Sequence, residues 1–197
     1  MPRIKRRGKA GSIVVYIGCM FARKSAELLI AIERAQLGGK KCMLIKPGAD
    51  TRTNGEIISR SGARMAAHTV REPHEIVPAA ADADVIGIDE AHFFDPSLRD
   101  IVLELAMAGK QVFIAGLNAD YRGEPWPTMS RLIAVANHVR HETAICVRCG
   151  EPANFSQRLG GGTNTIQVGD MEYEPRCLDC YEPPRPSATI ALIAFPA

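Results

Sequence analysis

The sequence predicts an α/β fold: a P-loop nucleotide-binding domain on a mainly parallel sheet, followed by a small C-terminal zinc-binding module of the zinc-ribbon kind. Three observations carry this. Apolar, β-branched runs alternate with helix-patterned stretches through the first two-thirds of the chain, the rhythm of right-handed βαβ crossovers and of a sheet covered on both faces. The segment Gly18-Cys19-Met20-Phe21-Ala22-Arg23-Lys24-Ser25 stands between the first such run and the first helix pattern, the context a phosphate-binding loop requires. Two CxxC pairs, Cys146/Cys149 and Cys177/Cys180, lie in a later stretch where periodicity fades.

Residues 12–17 are β-branched and end at Gly18, a first strand. Over 24–37, Leu28, Ala31, Ile32 and Ala35 recur at helical spacing, and Gly38-Gly39 stops the helix. Residues 41–46 form a second strand, broken by Pro47-Gly48. The weaker pattern over 50–80 predicts loops with at most a short strand. A third strand over 84–89 runs into Glu90. A helix over 96–108 closes at Gly109, a fourth strand covers 111–116, a helix covers 128–137, and a strand follows over 139–145. Beyond it cysteines, glycines and prolines dominate, and Gly160-Gly161-Gly162 marks a mobile loop. The expected organisation is a basic arm over 1–11, the P-loop domain over 12–145, the zinc module over 146–183 and a tail over 184–197. The arm (Arg3, Lys5, Arg6, Arg7, Lys9) reads as solvated, with an RNA or membrane contact as the alternative. The apolar end, 188–197, reads either as a docked strand or as a partly ordered tail.

The 197 residues are 46% hydrophobic, enough for one sizeable core and a modest appendage. With 24 basic against 22 acidic residues, the chain lacks the basic excess of a dedicated nucleic-acid binder. No apolar run reaches the roughly 20 residues that span a bilayer, and the run at 13–17 is too short for a signal-peptide core. Six cysteines are too few for a disulfide scaffold in a chain this long, and their pairing suits a metal in a reducing compartment. Cys19 and Cys42 read as small buried or loop residues.

Backbone N–H groups at the start of the first helix would attract anions, with Lys24 against terminal phosphates and the Ser25 hydroxyl on Mg²⁺. The full loop pattern asks for glycine before the lysine, where backbone approaches phosphate with no Cβ in the way; this chain has Arg23. A strand–turn–helix corner that merely contains Lys-Ser is the plain alternative. Residues 85–90 carry an apolar strand into Asp89 and Glu90, at the strand end where open α/β sheets collect ligands. There Asp89 suits Mg²⁺ held through water and Glu90 suits taking a proton from an attacking hydroxyl; capping the next helix is the structural alternative. The four paired cysteines furnish thiolates for tetrahedral Zn²⁺ with no open position for chemistry. Two redox pairs are the alternative, but neither pair stands at a thioredoxin-like junction.

These parts, in this order, resemble the type II (cytosolic) thymidine kinase family over roughly residues 12–181. The resemblance extends to Asp50-Thr51-Arg52, Ser59-Arg60-Ser61-Gly62, Phe93-Phe94, the stretch from Ala115-Gly116-Leu117 to Pro125-Trp126, and Tyr173 four residues before Cys177. It implies a cytoplasmic kinase that moves the γ-phosphate of ATP to the 5′-hydroxyl of thymidine, or of deoxyuridine, with ATP, Mg²⁺ and structural Zn²⁺ as cofactors. It also implies a homotetramer, while the charge balance and hydropathy above point to no nucleic-acid or membrane partner. Glu90 falls at the general base, Lys24 and Ser25 at the phosphate and Mg²⁺ residues, and Asp89 at the Walker-B-like aspartate. Asp50 and Arg52 fall near phosphates and metal. Met20, Phe93, Leu117, Tyr121 and Trp126 fall around the thymine, and Ser156 and Tyr173 belong to a "lasso" loop that folds over the base, holds it largely through main-chain hydrogen bonds, and is anchored at both ends by the zinc module.

Several positions depart from the family. Besides Arg23, His92 stands for Gln, Asn118 for Asp, Leu178 for Arg, and Tyr121 and Trp126 for phenylalanines. His92 reads either as tuning Glu90 or as an ordinary surface histidine. Asp50 and Arg52 read alternatively as a mere pair across a turn, and Leu117, Phe93 and Phe94 as ordinary core. The competing expectation is a nucleotide-binding pseudokinase, with Arg23 obstructing the phosphate cradle.

Overall fold

The computed structural model describes residues 10–160 and 172–184; the basic arm, two of the three consecutive glycines and the apolar tail lie outside the described residues. The central sheet has six strands in the order β5-β2-β6-β7-β1-β8, every neighbouring pair parallel. The strands are β1 (Ser12–Gly18), β2 (Cys42–Pro47), β5 (His68–Val70), β6 (Val85–Ile88), β7 (Gln111–Leu117) and β8 (His138–His141). Helices α1 (Lys24–Leu37), α2 (Ile76–Ala79), α3 (Leu98–Met107) and α4 (Pro127–Ile133) supply the crossovers. Antiparallel pairs stand apart: β3 (Glu56–Ile58) with β4 (Arg64–Ala66), β9 (Ala144–Ile145) with β10 (Pro152–Ala153), and β11 (Phe155–Arg158) with β12 (Tyr173–Arg176).

Alternation along the strands builds two cores. Ile13, Val15 and Ile17 of β1, Ile86 and Ile88 of β6, and Val112 and Ile114 of β7 face α3 and α4, meeting Leu98, Val102, Leu105, Met129 and Leu132. Tyr16, Val85 and Ala115 point the other way, against Leu28, Leu29 and Ile32 of α1. Each such aliphatic side chain contributes about 1.5–3 kcal/mol on burial. Gly87 lets α1 settle close: a Cβ there would meet Leu44 Cδ2 at 2.6 Å and Ile32 Cδ1 at 3.0 Å. A third cluster joins Cys19 and Ala22 of the first loop to Ala144, Cys146, Ala153 and Cys177. No helix among the described residues is long and apolar enough to cross a membrane.

Several predicted elements change shape. The expected strand over 139–145 is two. The Glu142 N–H donates to the Ile17 carbonyl at 2.7 Å and completes β8 against β1, after which the chain turns away and β9 pairs with β10. Helix α4 ends at Ile133, because the next amides, from Val135 and Ala136, reach back only three residues and tighten the turn. Helix α3 begins at Leu98, after Asp95 has taken the Ser97 N–H on its side chain and the Leu98 N–H on its carbonyl. The stretch 50–80 holds three short strands, and one of them, β5, is an edge of the main sheet.

Candidate active site

Because the sheet is parallel, the ends of β1, β2, β6 and β7 open on the same side, and the site is assembled there. At the end of β1, a Cβ on Gly18 would strike the Glu142 carbonyl oxygen at 2.2 Å, so only glycine fits. The loop then takes two left-handed steps without glycine, Phe21 at φ 70° and Arg23 at φ 62°. The glycine missing before Lys24 is thus missing from a left-handed position, while the Arg23 side chain is exposed. Lys24 opens α1, only 8% exposed, with Nζ donating to the Cys19 carbonyl at 2.7 Å. Burial lowers its pKa, against the pull of the Glu90 charge. The Ser25 hydroxyl donates to Asp89 Oδ1 at 3.1 Å.

Strand β6 delivers Asp89 and Glu90 into the opening. Asp89 is buried, and burial together with the adjacent Glu90 charge pushes its pKa up to about 7. Glu90 holds a left-handed backbone (φ 48°, ψ 38°) and makes no side-chain cap, so capping does not explain it. Burial works against its ionisation, but the positive charges around it, those of His92 once protonated, of Arg52 and of Lys24, hold the carboxyl below its ordinary range. Arg52 Nη2 donates to Glu90 Oε1, and Arg52 Nε donates to Asp50 Oδ1 at 2.8 Å. The pairing of Asp50 with Arg52 is therefore part of a longer chain. It begins at Lys46, 1% exposed, whose Nζ lies 3.1 Å from Asp50 Oδ2 and donates to the Thr53 carbonyl and hydroxyl.

His92 is 3% exposed, which overturns its reading as a surface histidine. Its Nδ1 accepts the Leu117 N–H at 3.3 Å and lies 3.5 Å from Glu90 Oε2. Burial, with Lys24 and Arg52 nearby, pushes its pKa down to about 4 against the Glu90 charge, so the ring is neutral at pH 7.

These groups flank a cavity of about 400 Å³. Lys24, Ser25, Asp50, Arg52, Asp89 and Glu90 line its polar part, and Met20, Phe93, Leu117, Tyr121, Trp126 and Tyr173 its apolar part, with Phe21, Arg23 and Ser156 also in the wall. Gly18, Cys19 and Ala22 are not in the wall. Cys19 is buried, its Sγ–H donating to the Ala153 carbonyl at 3.2 Å. Phe94 is core, whereas Phe93 and Leu117 reach the cavity. Ser156 and Tyr173 sit on the paired strands β11 and β12, at the root of the intervening loop, and Ser156 Oγ accepts the Met20 N–H at 3.0 Å.

Lys46, Arg60 and Arg158 complete the surroundings of the site, although motif reading gives none of them a role there. Arg60 lies over the Phe21 ring, 3.7 Å from its centroid. A charged residue inside the apolar strand 42–47 was the one available sign of Lys46.

The four paired cysteines bring their Sγ atoms within 4.8 Å of one another. Cys149 and Cys177 sulfurs are 3.5 Å apart, and the neighbouring Cys177 and Cys149 thiols push Cys180 up to about 12. Four crowded sulfurs at this spacing are a donor set suited to a tetrahedral dication.

Comparison with known proteins agrees with this geometry. The family model described as thymidine kinase matches residues 11–181. A thymidine kinase of Rhodothermus sp. is 39% identical over 193 residues, covering 97% of this chain and 91% of the relative. One from Chloroflexus aurantiacus is 40% identical over 189 residues, 90% of this chain and 98% of its own. One from Coprothermobacter proteolyticus is 40% identical over 188 residues, 91% and 95% respectively. None of this supports the pseudokinase alternative. Set beside a loop that carries Lys24 and Ser25 into the first helix, two carboxylates at a strand end and a four-thiol cluster, the family match over residues 11–181 and these relatives of nearly full length show that the chain belongs to the thymidine kinase family.

Proposed function

We propose that the enzyme transfers the γ-phosphate of ATP to the 5′-hydroxyl of thymidine, accepting deoxyuridine, which differs by one methyl group, as a second substrate. The observation that carries this is the position of Glu90, which lines the same cavity as Lys24 and Ser25 on its polar side and the aromatic wall on its other side. A carboxylate held ionised there is suited to take the proton of an attacking hydroxyl. Lys24 and the loop amides would receive the triphosphate, once Lys24 gives up the Cys19 carbonyl. Ser25 and Asp89 already share a hydrogen bond and would hold Mg²⁺, with Asp50 close by. Bound there, the metal would neutralise phosphate charge as it is transferred. Arg52 would exchange its contact with Glu90 for phosphate oxygens, which frees the base when ATP is in place. Met20, Phe93, Leu117, Tyr121 and Trp126 would enclose the base, with Ser156 and Tyr173 closing it from the β11–β12 hairpin. Cys146, Cys149, Cys177 and Cys180 would hold a structural Zn²⁺. Assembly as a cytoplasmic homotetramer is our reading from the resemblance, and light scattering tests the tetramer.

The decisive experiment incubates purified protein with ATP, Mg²⁺ and thymidine and measures thymidine monophosphate. Glu90→Gln is expected to lower kcat by about 10²–10⁴, the usual worth of a general base, with the ATP KM changing far less. Absence of product from folded, zinc-loaded wild type would overturn the reading.

A further inference from the structure

Arg158 has no part in the chemistry proposed above, yet it is a buried guanidinium, 9% exposed, directly behind the aromatic wall. Strand register places it opposite Tyr173, at the end of the β11–β12 pairing. Its Nε and Nη2 both donate to the Tyr173 hydroxyl oxygen, at 3.1 and 2.6 Å. Its guanidinium carbon also lies 3.8 Å from the centroid of the Tyr121 ring, within cation–π range. Tyr121 is held from another direction, because its carbonyl accepts the Tyr181 hydroxyl at 2.8 Å and Tyr181 stacks on Phe155 at 4.4 Å. Both Tyr121 and Tyr173 line the cavity; Arg158 does not.

We propose that Arg158 is a positioning residue for nucleobase selection, clamping Tyr121 and Tyr173 and committing the Tyr173 hydroxyl to donate. The reasoning is an inventory of one oxygen. A phenol has one proton to give and two lone pairs to accept with. Two N–H bonds from a permanent cation use the lone pairs, so the function left to the hydroxyl is donation. A base presenting a carbonyl to it, as thymine or uracil does, gains a hydrogen bond. A base presenting an exocyclic amine, as cytosine does, meets donor with donor. Sites built this way discriminate strongly, because the wrong ligand leaves buried polar groups unpaired. A lysine could not hold both rings, lacking the planar fork and the flat face. This inference rests on the nucleoside kinase reading and adds to it the device that selects the base.

The test compares thymidine with deoxycytidine as substrates for wild type, Arg158→Met, Tyr173→Phe and the double variant. For Arg158→Met we expect kcat/KM for thymidine to fall about 10–100-fold, mostly through KM, with the thymidine-over-deoxycytidine ratio falling and the ATP KM little moved. The double variant should match Tyr173→Phe in that ratio, since the arginine acts through the hydroxyl. An unchanged ratio, or full additivity in the double variant, overturns the proposal. Loss of kcat and ATP affinity together at constant ratio does the same and leaves Arg158 a purely structural role. Where Arg158→Met does not fold, Arg158→Lys carries the test, and again an unchanged ratio overturns it. Wild type that phosphorylates no nucleoside sinks the functional reading instead, a result the ratio cannot imitate.

Discussion

Arg23 and His92 owe their interest to backbone and burial. Arg23 holds φ 62°, ψ 16°, where a side chain costs about 1–2 kcal/mol that glycine avoids, partly offset by the extra freedom glycine brings to the unfolded chain. Arg23→Gly is therefore expected to raise stability by about 1 kcal/mol, read from the urea midpoint at constant slope. Because the side chain is exposed, stability is the main effect expected; a tenfold or greater drop in the ATP KM would instead mean that the arginine obstructs the cradle. His92 bears on pH. Its folded pKa, about 4, lies below the unfolded 6.5, so between these values only the unfolded chain takes up the proton and stability is lost as pH falls. Asp89 works in the opposite sense: with its folded pKa raised to about 7 above 3.8, the native state takes up the proton and stability is gained as pH falls through that window. His92→Gln removes the first contribution and leaves the second. Between pH 7 and 4.5 the variant should gain stability relative to wild type by of order 2 kcal/mol, measured as the difference between the two proteins at each pH. A constant difference would show that the histidine does not titrate in this way.

At the scale of elements, the hairpin β11–β12 supports the phosphate loop as well as the cavity. Ser156 Oγ is the acceptor for the Met20 amide, so Ser156→Ala leaves a partly buried donor without its partner, at about 1–3 kcal/mol. The expected result is a several-fold rise in the ATP KM alongside any change in the thymidine KM, with Ser156→Thr restoring the former; an ATP KM unmoved by the alanine would separate hairpin from loop. That coupling shows why some of the site was legible in the sequence and some was not. The loop 18–25, the pair Asp89-Glu90 and the CxxC pairs are local patterns whose chemistry depends on neighbours in sequence. Strands β1, β6 and β7 alternate strictly between the two cores and were legible for the same reason. Lys46 and Arg158 were not, because their partners, Thr53 and Asp50 for one and Tyr121 and Tyr173 for the other, meet them only once the chain has folded. Strands of three residues such as β3, β4 and β5 offer too short a run for any period to show. The β8–β9 boundary was hidden because no glycine or proline marks the point, between His141 and Ala144, where the chain leaves the sheet.

Over the whole molecule, the four-thiol cluster and the loop 18–25 are one packed unit. Cys146 and Cys177 lie in the same buried cluster as Cys19 and Ala22. The Cys19 thiol donates to the Ala153 carbonyl on β10, and Ala153 pairs with Ala144 just before the first CxxC pair. The Cys146 amide bonds to the Glu151 carbonyl, and the Val147 amide to that of Pro175 on β12, so the knuckles brace both small sheets. Without a cation, four crowded sulfurs repel as their thiols ionise, and Val147 and Leu178 are exposed, so the apolar packing left around the cysteines is the small cluster shared with the loop 18–25. Chelation should therefore unfold the module while the six-stranded sheet, with its own two cores, persists. We expect chelated protein to keep most of its far-UV circular dichroism and to lose affinity for ATP and for thymidine together, each measured by titration calorimetry. Readdition of Zn²⁺ under reducing conditions should restore both. Loss of thymidine binding alone would mean that the cluster serves only the hairpin over the base, and that the contacts from Cys19 and Met20 leave the phosphate loop to stand unaided.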